Sequence, residues 1–309
     1  MKVLRQKYIL MVKYLALALT LILSFFSVGL SLVIILLFNI RGIRRSVFGR
    51  LPIDTERKPW KQMRSEEYLP GKFLDIYYPE GAPPKGTILF AHGGGWISGY
   101  RKQPNNVSWY RVLVSRGFAV AAIEYSRGYT AGIDLLVDEC SAAIGFLSRR
   151  SDDLSLNKSG ISVMGLSAGG HLALLAGMKH KGFVKSITAY YSPCDLLDIW
   201  EASSIFARIS SAAVIKRLPF KQKSREVYRH YSPIRHVSVG TPPILLVHGM
   251  KDSIVPYPSS LKMYRKLKEA GCPVKVLFHA KGRHGFEFVL KDRRTREIIE
   301  KTIDFWSTV

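Results

Sequence analysis

Three polar residues far apart in the chain have the side-chain types needed to attack a carbonyl carbon. They are Ser167, Asp252 and His284. A serine hydroxyl is a poor nucleophile at neutral pH, so a neutral imidazole must take its proton and a carboxylate must fix the imidazole's tautomer. Loops at the strand ends of a parallel sheet can supply these groups in the order serine, acid, histidine. We therefore predict that these three residues form a catalytic triad for acyl transfer.

The residues around Ser167 predict a tight turn between a strand and a helix. A short apolar run, Ile161–Met164, indicates a strand, and the apolar spacing after Ala168 indicates a helix. Gly165 and Gly169 flank the serine at the positions where the backbone must pass closely. The N–H of Ala168, at the start of the helix, is free to donate to an oxyanion. Taken alone, a Gly-x-Ser-x-Gly motif is also typical of a solvent-exposed turn. The sequence elsewhere in the chain must therefore distinguish a catalytic serine from an ordinary turn.

Other histidines and acids compete for these roles and are expected to be structural. His92 lies in a glycine-rich loop that it would order, and His171 lies in the first turn of the helix after Ser167. His248 lies inside an apolar strand, which is typical of a core histidine. Asp195 is the main rival to Asp252, but its position favours a helix-capping role.

Strands alternate with helices along the chain, which predicts an α/β fold with a mostly parallel central sheet flanked by helices. The strand Thr87–Ala91 runs into His92-Gly93-Gly94-Gly95-Trp96, a loop suited to wrap a developing negative charge, although a flexible hairpin loop is the alternative. Between Leu196 and Val239 the alternation breaks into helical, mixed polar sequence. We interpret it as a helical cap insertion over the site, with ordinary helical packing as the alternative.

Composition limits the class of protein. The 309 residues are 47% hydrophobic, enough for one large domain, and the three cysteines show neither a disulfide framework nor metal-ligand spacing, so we expect buried thiols. The formal charge of +23 indicates attraction to an anionic surface. No nucleic-acid-binding motif is present, so a membrane is favoured over nucleic acid, with a generally basic proteome or simple solubility as the alternative.

The N-terminus predicts a membrane anchor. Residues Tyr14–Ile40 carry no charge, and 27 residues at about 1.5 Å each reach about 40 Å as a helix, enough to span a bilayer. No small-x-small cleavage site follows, which favours an uncleaved single-pass anchor over a secretory signal. We predict an anchor at 1–45, a juxtamembrane linker at 46–64 and an α/β domain at 65–309 with its cap at 196–239. Basic residues on both sides leave the orientation open.

Four motifs in order make the chain resemble the α/β-hydrolase superfamily over residues 65 to 309. They are His92-Gly93-Gly94-Gly95-Trp96, Gly165-Leu166-Ser167-Ala168-Gly169-Gly170-His171, His248-Gly249-Met250-Lys251-Asp252 and Gly282-Arg283-His284-Gly285-Phe286. The first two look like those of hormone-sensitive-lipase-like and feruloyl-esterase-like carboxylesterases. Leu166, where many hormone-sensitive-lipase relatives have Asp, favours the feruloyl-esterase-like side or the similar membrane-bound prenylcysteine methylesterases. The resemblance implies an oxyanion hole formed by the N–H groups of Gly94, Gly95 and Ala168.

These observations predict a serine hydrolase that cleaves carboxylic esters of short or medium acyl chains through an acyl-enzyme, without a metal or cofactor. The substrate would be a small-molecule or lipid ester, and Trp96, beside the glycine loop, is expected to bind it by narrowing the pocket entrance. A peptidase or amidase would use the same triad. A membrane-tethered binding protein without catalysis is a third possibility. It is disfavoured because the sequence contains every residue that the proposed catalysis requires.

Overall fold

The computed structural model describes residues 47–81, 83–156, 160–202 and 204–308. Residues Phe48–Val309 form one compact unit. The predicted anchor at Tyr14–Ile40 lies outside the described residues. Within the described ranges, no helix is both long enough and apolar enough to cross a bilayer.

An eight-stranded sheet runs through the domain in the order β1-β2-β4-β3-β5-β6-β7-β8. Its strands are β1 (Trp60–Leu69), β2 (Lys72–Pro79), β3 (Thr87–Ala91), β4 (Ala119–Ile123), β5 (Ile161–Leu166), β6 (Val184–Tyr190), β7 (Ile244–Gly249) and β8 (Val274–His279). The first two pairings are antiparallel, and the pairings from β4 to β8 are parallel. Strands β3, β4, β5 and β7 are buried at every position because they are covered on both faces. The predicted mostly parallel α/β sheet is confirmed.

Helices cover both faces of this sheet. They are α1 (Pro104–Ser115), α2 (Ile133–Arg149), α3 (Ala168–Lys179), α4 (Leu196–Ala202), α5 (Ile205–Ile215), α6 (Gln222–His230), α7 (Pro258–Glu269), α8 (Phe286–Val289) and α9 (Arg293–Ser307), with a 3-10 turn at Pro233–His236. The buried residues of α2, α3 and α7 belong to one hydrophobic cluster, and those of α1, α8 and α9 belong to a second. The parallel strands thus end in loops at one common edge of a sheet held between two apolar layers.

The predicted cap range 196–239 contains α4, α5, α6 and the 3-10 turn, and α5 lies beside the glycine loop, while the role of this range as a cap stays a prediction. A methyl group added at Gly95 would meet the Phe206 ring at 3.3 Å and the Ser210 Oγ at 3.1 Å, and both residues belong to α5. Ser204 caps α5 by accepting a hydrogen bond from the Ala207 N–H at 3.3 Å.

The domain begins earlier in the chain than predicted. Strand β1 starts at Trp60, inside the range assigned to the linker, and the buried Leu51 donates its N–H to the Ser108 Oγ at 2.7 Å. The strand was not predicted because it is an edge strand whose outer face is charged and exposed, which weakens its apolar pattern. The division into anchor, linker and domain otherwise stays a prediction.

Candidate active site

Ser167, His284 and Asp252 are hydrogen-bonded in series at one edge of the sheet. His284 Nε2 lies 3.0 Å from the Ser167 Oγ, and His284 Nδ1 lies 2.7 Å from the Asp252 Oδ2. Ser167 follows β5, Asp252 lies in the loop after β7, and His284 lies in the loop after β8. Parallel strands bring these loops to the same edge, so three residues far apart in sequence meet.

Ser167 lies in a strained turn where segments of backbone pack closely against each other. Its φ is +52°, in the left-handed region that side chains other than glycine seldom adopt. A methyl group on Gly165 would lie 2.2 Å from the Gly169 carbonyl oxygen, and one on Gly169 would lie 2.2 Å from the Ala91 carbonyl oxygen. At these two positions the strand, the helix and the neighbouring β3 therefore meet backbone to backbone, with no room for a side chain on either side of Ser167.

The Asp252 carboxylate is fully buried, and donors face both of its oxygens. Oδ1 accepts from the Ile254 and Val255 N–H groups at 2.8 and 3.0 Å, and Oδ2 faces His284 Nδ1 and, at 3.4 Å, His248 Nε2. Burial by itself would raise the pKa of this carboxyl, but the two facing histidine rings hold the pKa below its ordinary value. An ionised carboxylate only accepts hydrogen bonds, so His284 donates through Nδ1 and presents the Nε2 lone pair to the serine hydroxyl.

His248 is a buried core histidine, as predicted, but it also contacts the acid. Its Nδ1 pairs with the Ser260 Oγ at 2.7 Å and its Nε2 pairs with the Val255 carbonyl oxygen at 3.0 Å. Since Nε2 must donate to that carbonyl, it carries a ring proton, and this nitrogen lies 3.4 Å from the Asp252 Oδ2. The sequence signal for this contact is the spacing of four residues between His248 and Asp252 across the end of β7.

The glycine loop lies against the serine turn. A methyl group on Gly93 would lie 3.7 Å from the Ser167 Cβ, and Gly94 and Gly95 have φ values of +130° and +59°. Within the described part of the chain, the N–H groups of Gly94, Gly95 and Ala168 donate no backbone or side-chain hydrogen bond that would occupy them. N–H groups of this kind, in a loop that packs against a serine turn, are the donors that an oxyanion site requires.

Aromatic and polar contacts made by His92 and its neighbours hold this loop in place. The His92 ring stacks on the Tyr125 ring with 4.1 Å between centroids, and the Tyr125 hydroxyl donates to the His92 carbonyl oxygen at 2.6 Å. Glu124 forms ion pairs with Arg101 and Arg127 at 3.4 and 2.6 Å. Burial raises the pKa of Glu124, but hydrogen bonds from its neighbours outweigh burial and lower the pKa to about 2. The expectation that His92 orders the loop agrees with these contacts.

Two neighbouring side chains differ from expectation. Trp96 is only 2% exposed and packs edge-on against the His171 ring at 5.3 Å, so it faces the domain interior rather than a pocket entrance. Its φ is +63°, a value that residues other than glycine seldom adopt. Phe206, which sequence reasoning missed, is 49% exposed beside Gly95 and lies where Trp96 was expected.

The remaining candidates have structural roles. His171 is buried and pairs with the Tyr231 carbonyl oxygen at 2.7 Å, and burial lowers its pKa to about 4. Asp195 accepts the Leu197 N–H at 3.0 Å at the start of α4, which is the predicted capping role. The three cysteines are free and buried, as predicted. Among the residues that the structure describes, no group of three His, Cys, Asp or Glu side chains is placed to hold a metal ion.

Comparison with known proteins shows which family the chain resembles. The BD-FAE family profile matches residues 74–267. The chain is 25% identical to an Arabidopsis thaliana protein named as a probable isoprenylcysteine alpha-carbonyl methylesterase, over 72% of this chain and 50% of that protein. It is 26% identical to the esterase LipC of Mycobacterium tuberculosis, over 71% of this chain and 58% of LipC. The chain thus spans only about half the length of these curated relatives.

A solved structure shares the fold. A truncated carbohydrate esterase from gut microbiota superposes with a TM-score of 0.71 at 20% identity, covering 83% of this chain and all of that one. At this identity the likeness establishes the fold alone, which is the α/β-hydrolase fold. Because the family profile matches more than half of the sequence, the chain belongs to the BD-FAE family, within the α/β-hydrolase carboxylesterases.

Proposed function

We propose that the protein is a serine carboxylesterase whose catalytic residues are Ser167, His284 and Asp252. The observation that carries the proposal is the hydrogen-bonded series from the Ser167 Oγ through both nitrogens of His284 to the Asp252 Oδ2, at 3.0 and 2.7 Å. His284 takes the hydroxyl proton through Nε2 as the serine oxygen attacks the ester carbonyl carbon. Asp252 keeps the ring in the required tautomer and stabilises the imidazolium that forms.

The oxyanion of the tetrahedral intermediate would accept hydrogen bonds from the N–H groups of Gly94, Gly95 and Ala168. Collapse of the intermediate breaks the bond to the alcohol, which leaves with the proton from His284. Water then attacks the acyl-enzyme, again with His284 as base, and releases the acid and the free serine. Support for this role comes from the closeness of Gly93 to the Ser167 Cβ and from the lack of other partners for these N–H groups in the described residues.

The substrate in this proposal is a small-molecule or lipid ester with a short or medium acyl chain, and Phe206 replaces Trp96 as the expected contact. The Phe206 ring borders Gly95, and Ile205 and Ile209 on the same helix are also exposed. An apolar helix face beside the oxyanion loop would bind an apolar group of the ester. We further propose that the N-terminal segment anchors the enzyme to a bilayer.

An ester panel from acetyl to long acyl chains, with the wild type and Ser167→Ala, tests the proposal. We expect Ser167→Ala to lower kcat by about 10⁶-fold at unchanged fold, because loss of the nucleophile of a triad leaves only the oxyanion hole and binding. Retention of a tenth of wild-type activity would exclude Ser167 as nucleophile. Faster cleavage of dispersed long-chain than four-carbon esters would contradict the chain-length preference.

A matched amide substrate belongs in the same experiment, because a triad of this kind also cleaves amides. We expect kcat/KM to be higher for the ester than for the amide of the same acyl group. The opposite order would identify a peptidase or amidase, and absence of turnover on both would favour a binding protein.

A further inference from the structure

A buried carboxyl group lies behind His284 and has no part in the mechanism above. Glu287 is 0% exposed and accepts a hydrogen bond from the Tyr191 hydroxyl on its Oε1 at 2.5 Å. Among the described residues its Oε2 has no partner at normal hydrogen-bond distance, although the Trp109 indole N–H, which also has none, lies near enough to lower the pKa of the carboxyl. Burying a carboxyl with one oxygen unpaired is costly, so such a group in a folded protein calls for a specific explanation.

Tyr191 connects this carboxyl to the proposed base. The Tyr191 ring contacts the His284 ring with 4.5 Å between centroids and an angle of 56°. Tyr191 has a φ of +38°, a strained value for a bulky residue, and its N–H donates to the Val247 carbonyl oxygen at 2.6 Å. The tyrosine is therefore held by its backbone at one end and by Glu287 at the other, with its ring against the imidazole.

The groups around Glu287 allow its charge to change near neutral pH. Tyr191 and Tyr190 approach from the end of β6, His284 from the loop after β8, and Trp109 from α1, while Asp252 acts on Tyr191 from the loop after β7. Burial raises the pKa of Glu287 to about 7, and the Tyr191 hydrogen bond and His284 limit the rise. When ionised, this carboxylate is an anion close to the imidazole.

We propose that Tyr191 and Glu287 form a positioning pair for His284. Glu287 fixes the Tyr191 hydroxyl, and the Tyr191 ring holds the imidazole in line with Ser167 and Asp252. Neither residue touches the substrate, and the ionised Glu287 stabilises the imidazolium that forms when Ser167 loses its proton. The inference rests on the proposed function, since it assigns these roles through His284 as the base.

Tyr191→Phe and Glu287→Gln separate the two contributions. Tyr191→Phe keeps the ring and removes the hydroxyl, so we expect kcat to fall about 10-fold, roughly the effect of one hydrogen bond, at unchanged KM. Glu287→Gln keeps an oxygen that can accept from Tyr191 and removes the charge. We expect it to lower kcat/KM above about pH 7, where the wild-type carboxyl is ionised, and to leave kcat/KM unchanged well below that pH, because an anion near the imidazole is lost only where it was present.

Tyr190→Phe is the matched control. Tyr190 is the adjacent buried tyrosine, its hydroxyl pairs with the Thr302 Oγ1 at 2.7 Å, and its ring contacts are with Trp109 and Tyr191. We expect its kcat to stay within about twofold of wild type, because its hydroxyl acts away from His284. All variants are checked by thermal unfolding. If Tyr191→Phe does not fold, the pH profile of Glu287→Gln still tests the pair.

Two results would overturn the inference. One is a kcat for Tyr191→Phe equal to that of Tyr190→Phe, and the other is a pH profile for Glu287→Gln equal to that of wild type. Both require an active wild type, so they differ from failure of the proposed function. In that failure, the wild type would cleave no ester of the panel, or Ser167→Ala would stay active.

Discussion

At the residue scale, the acid of the triad is tested by comparing two aspartates. Asp252→Asn keeps the size of the side chain but presents an amide to His284, so the imidazole loses the acceptor that holds its tautomer. We expect kcat to fall about 10⁴-fold, as such a change does in serine proteases. Steady-state kinetics at neutral pH measures the effect.

Asp195→Asn serves as the control, because asparagine caps a helix about as well as aspartate. Asp195 accepts the Leu197 N–H at 3.0 Å, and we expect kcat to remain within about twofold of wild type. Near-normal activity in Asp252→Asn together with loss in Asp195→Asn would transfer the acid role to Asp195.

The buried Glu287 also predicts how stability depends on pH. Burial raises its pKa from 4.5 to about 7, so the folded protein holds the proton more tightly than the unfolded chain does. The contribution of this group to the free energy of unfolding is complete below about pH 4.5 and is lost as the pH rises through 7. The loss is on the order of 3 kcal/mol. Urea unfolding of wild type and Glu287→Gln between pH 5 and 8 measures it.

Glu287→Gln carries no titrating group at this position, so its free energy of unfolding should fall less over that range. Other groups titrate in both proteins and cancel in the difference. Parallel curves for the two proteins would mean that Glu287 is ionised throughout, which contradicts the expected direction of its pKa shift.

At the element scale, the contact between the serine turn and the glycine loop depends on Gly169. A methyl group there would lie 2.2 Å from the Ala91 carbonyl oxygen and 2.3 Å from that of His92, and both are backbone atoms of limited freedom. We expect Gly169→Ala to push α3 away from β3, to lower the free energy of unfolding by about 1–3 kcal/mol and to reduce kcat at least about 100-fold. Thermal unfolding and ester kinetics measure the two effects.

Gly182→Ala is the control for this prediction. Apart from its chain neighbours, no atom of the residues that the structure describes lies within 4 Å of a methyl group added at Gly182, so we expect stability to change by no more than about 0.5 kcal/mol and activity to be unchanged. Wild-type stability and activity in Gly169→Ala would show that the turn has more room than its geometry indicates.

At the scale of the whole molecule, the predicted anchor is tested by fractionation. The 27 uncharged residues Tyr14–Ile40 lead us to expect that the full-length protein stays with membranes through washes at high salt and at alkaline pH and leaves them only in detergent. A protein held by its charge of +23 alone would be released by salt, because screening weakens that attraction.

A version without residues 1 to 45 is the control and should be found in the soluble fraction. If the full-length protein is instead soluble with its N-terminus trimmed, the segment is a cleaved signal peptide. If both versions behave alike and remain membrane-bound, the domain itself carries the attachment.

The sequence by itself determined the main features of the fold and the identity of the three triad candidates. Apolar periodicity and glycine positions are local properties, so they predicted the buried parallel strands and the turn at Ser167. The positions of Asp252 and His284 followed because strand-end loops of a parallel sheet share one edge. These inferences needed only the order of the elements along the chain.

Only the tertiary structure decided which other side chains surround the site. Trp96 is adjacent to the glycine loop in sequence yet packs inward on His171, whereas Phe206, more than a hundred residues later, lies beside Gly95. The contact of Tyr191 with Glu287 likewise joins residues 96 positions apart. Such contacts depend on how the helices, strands and loops pack against one another. No local pattern in the sequence encodes that packing.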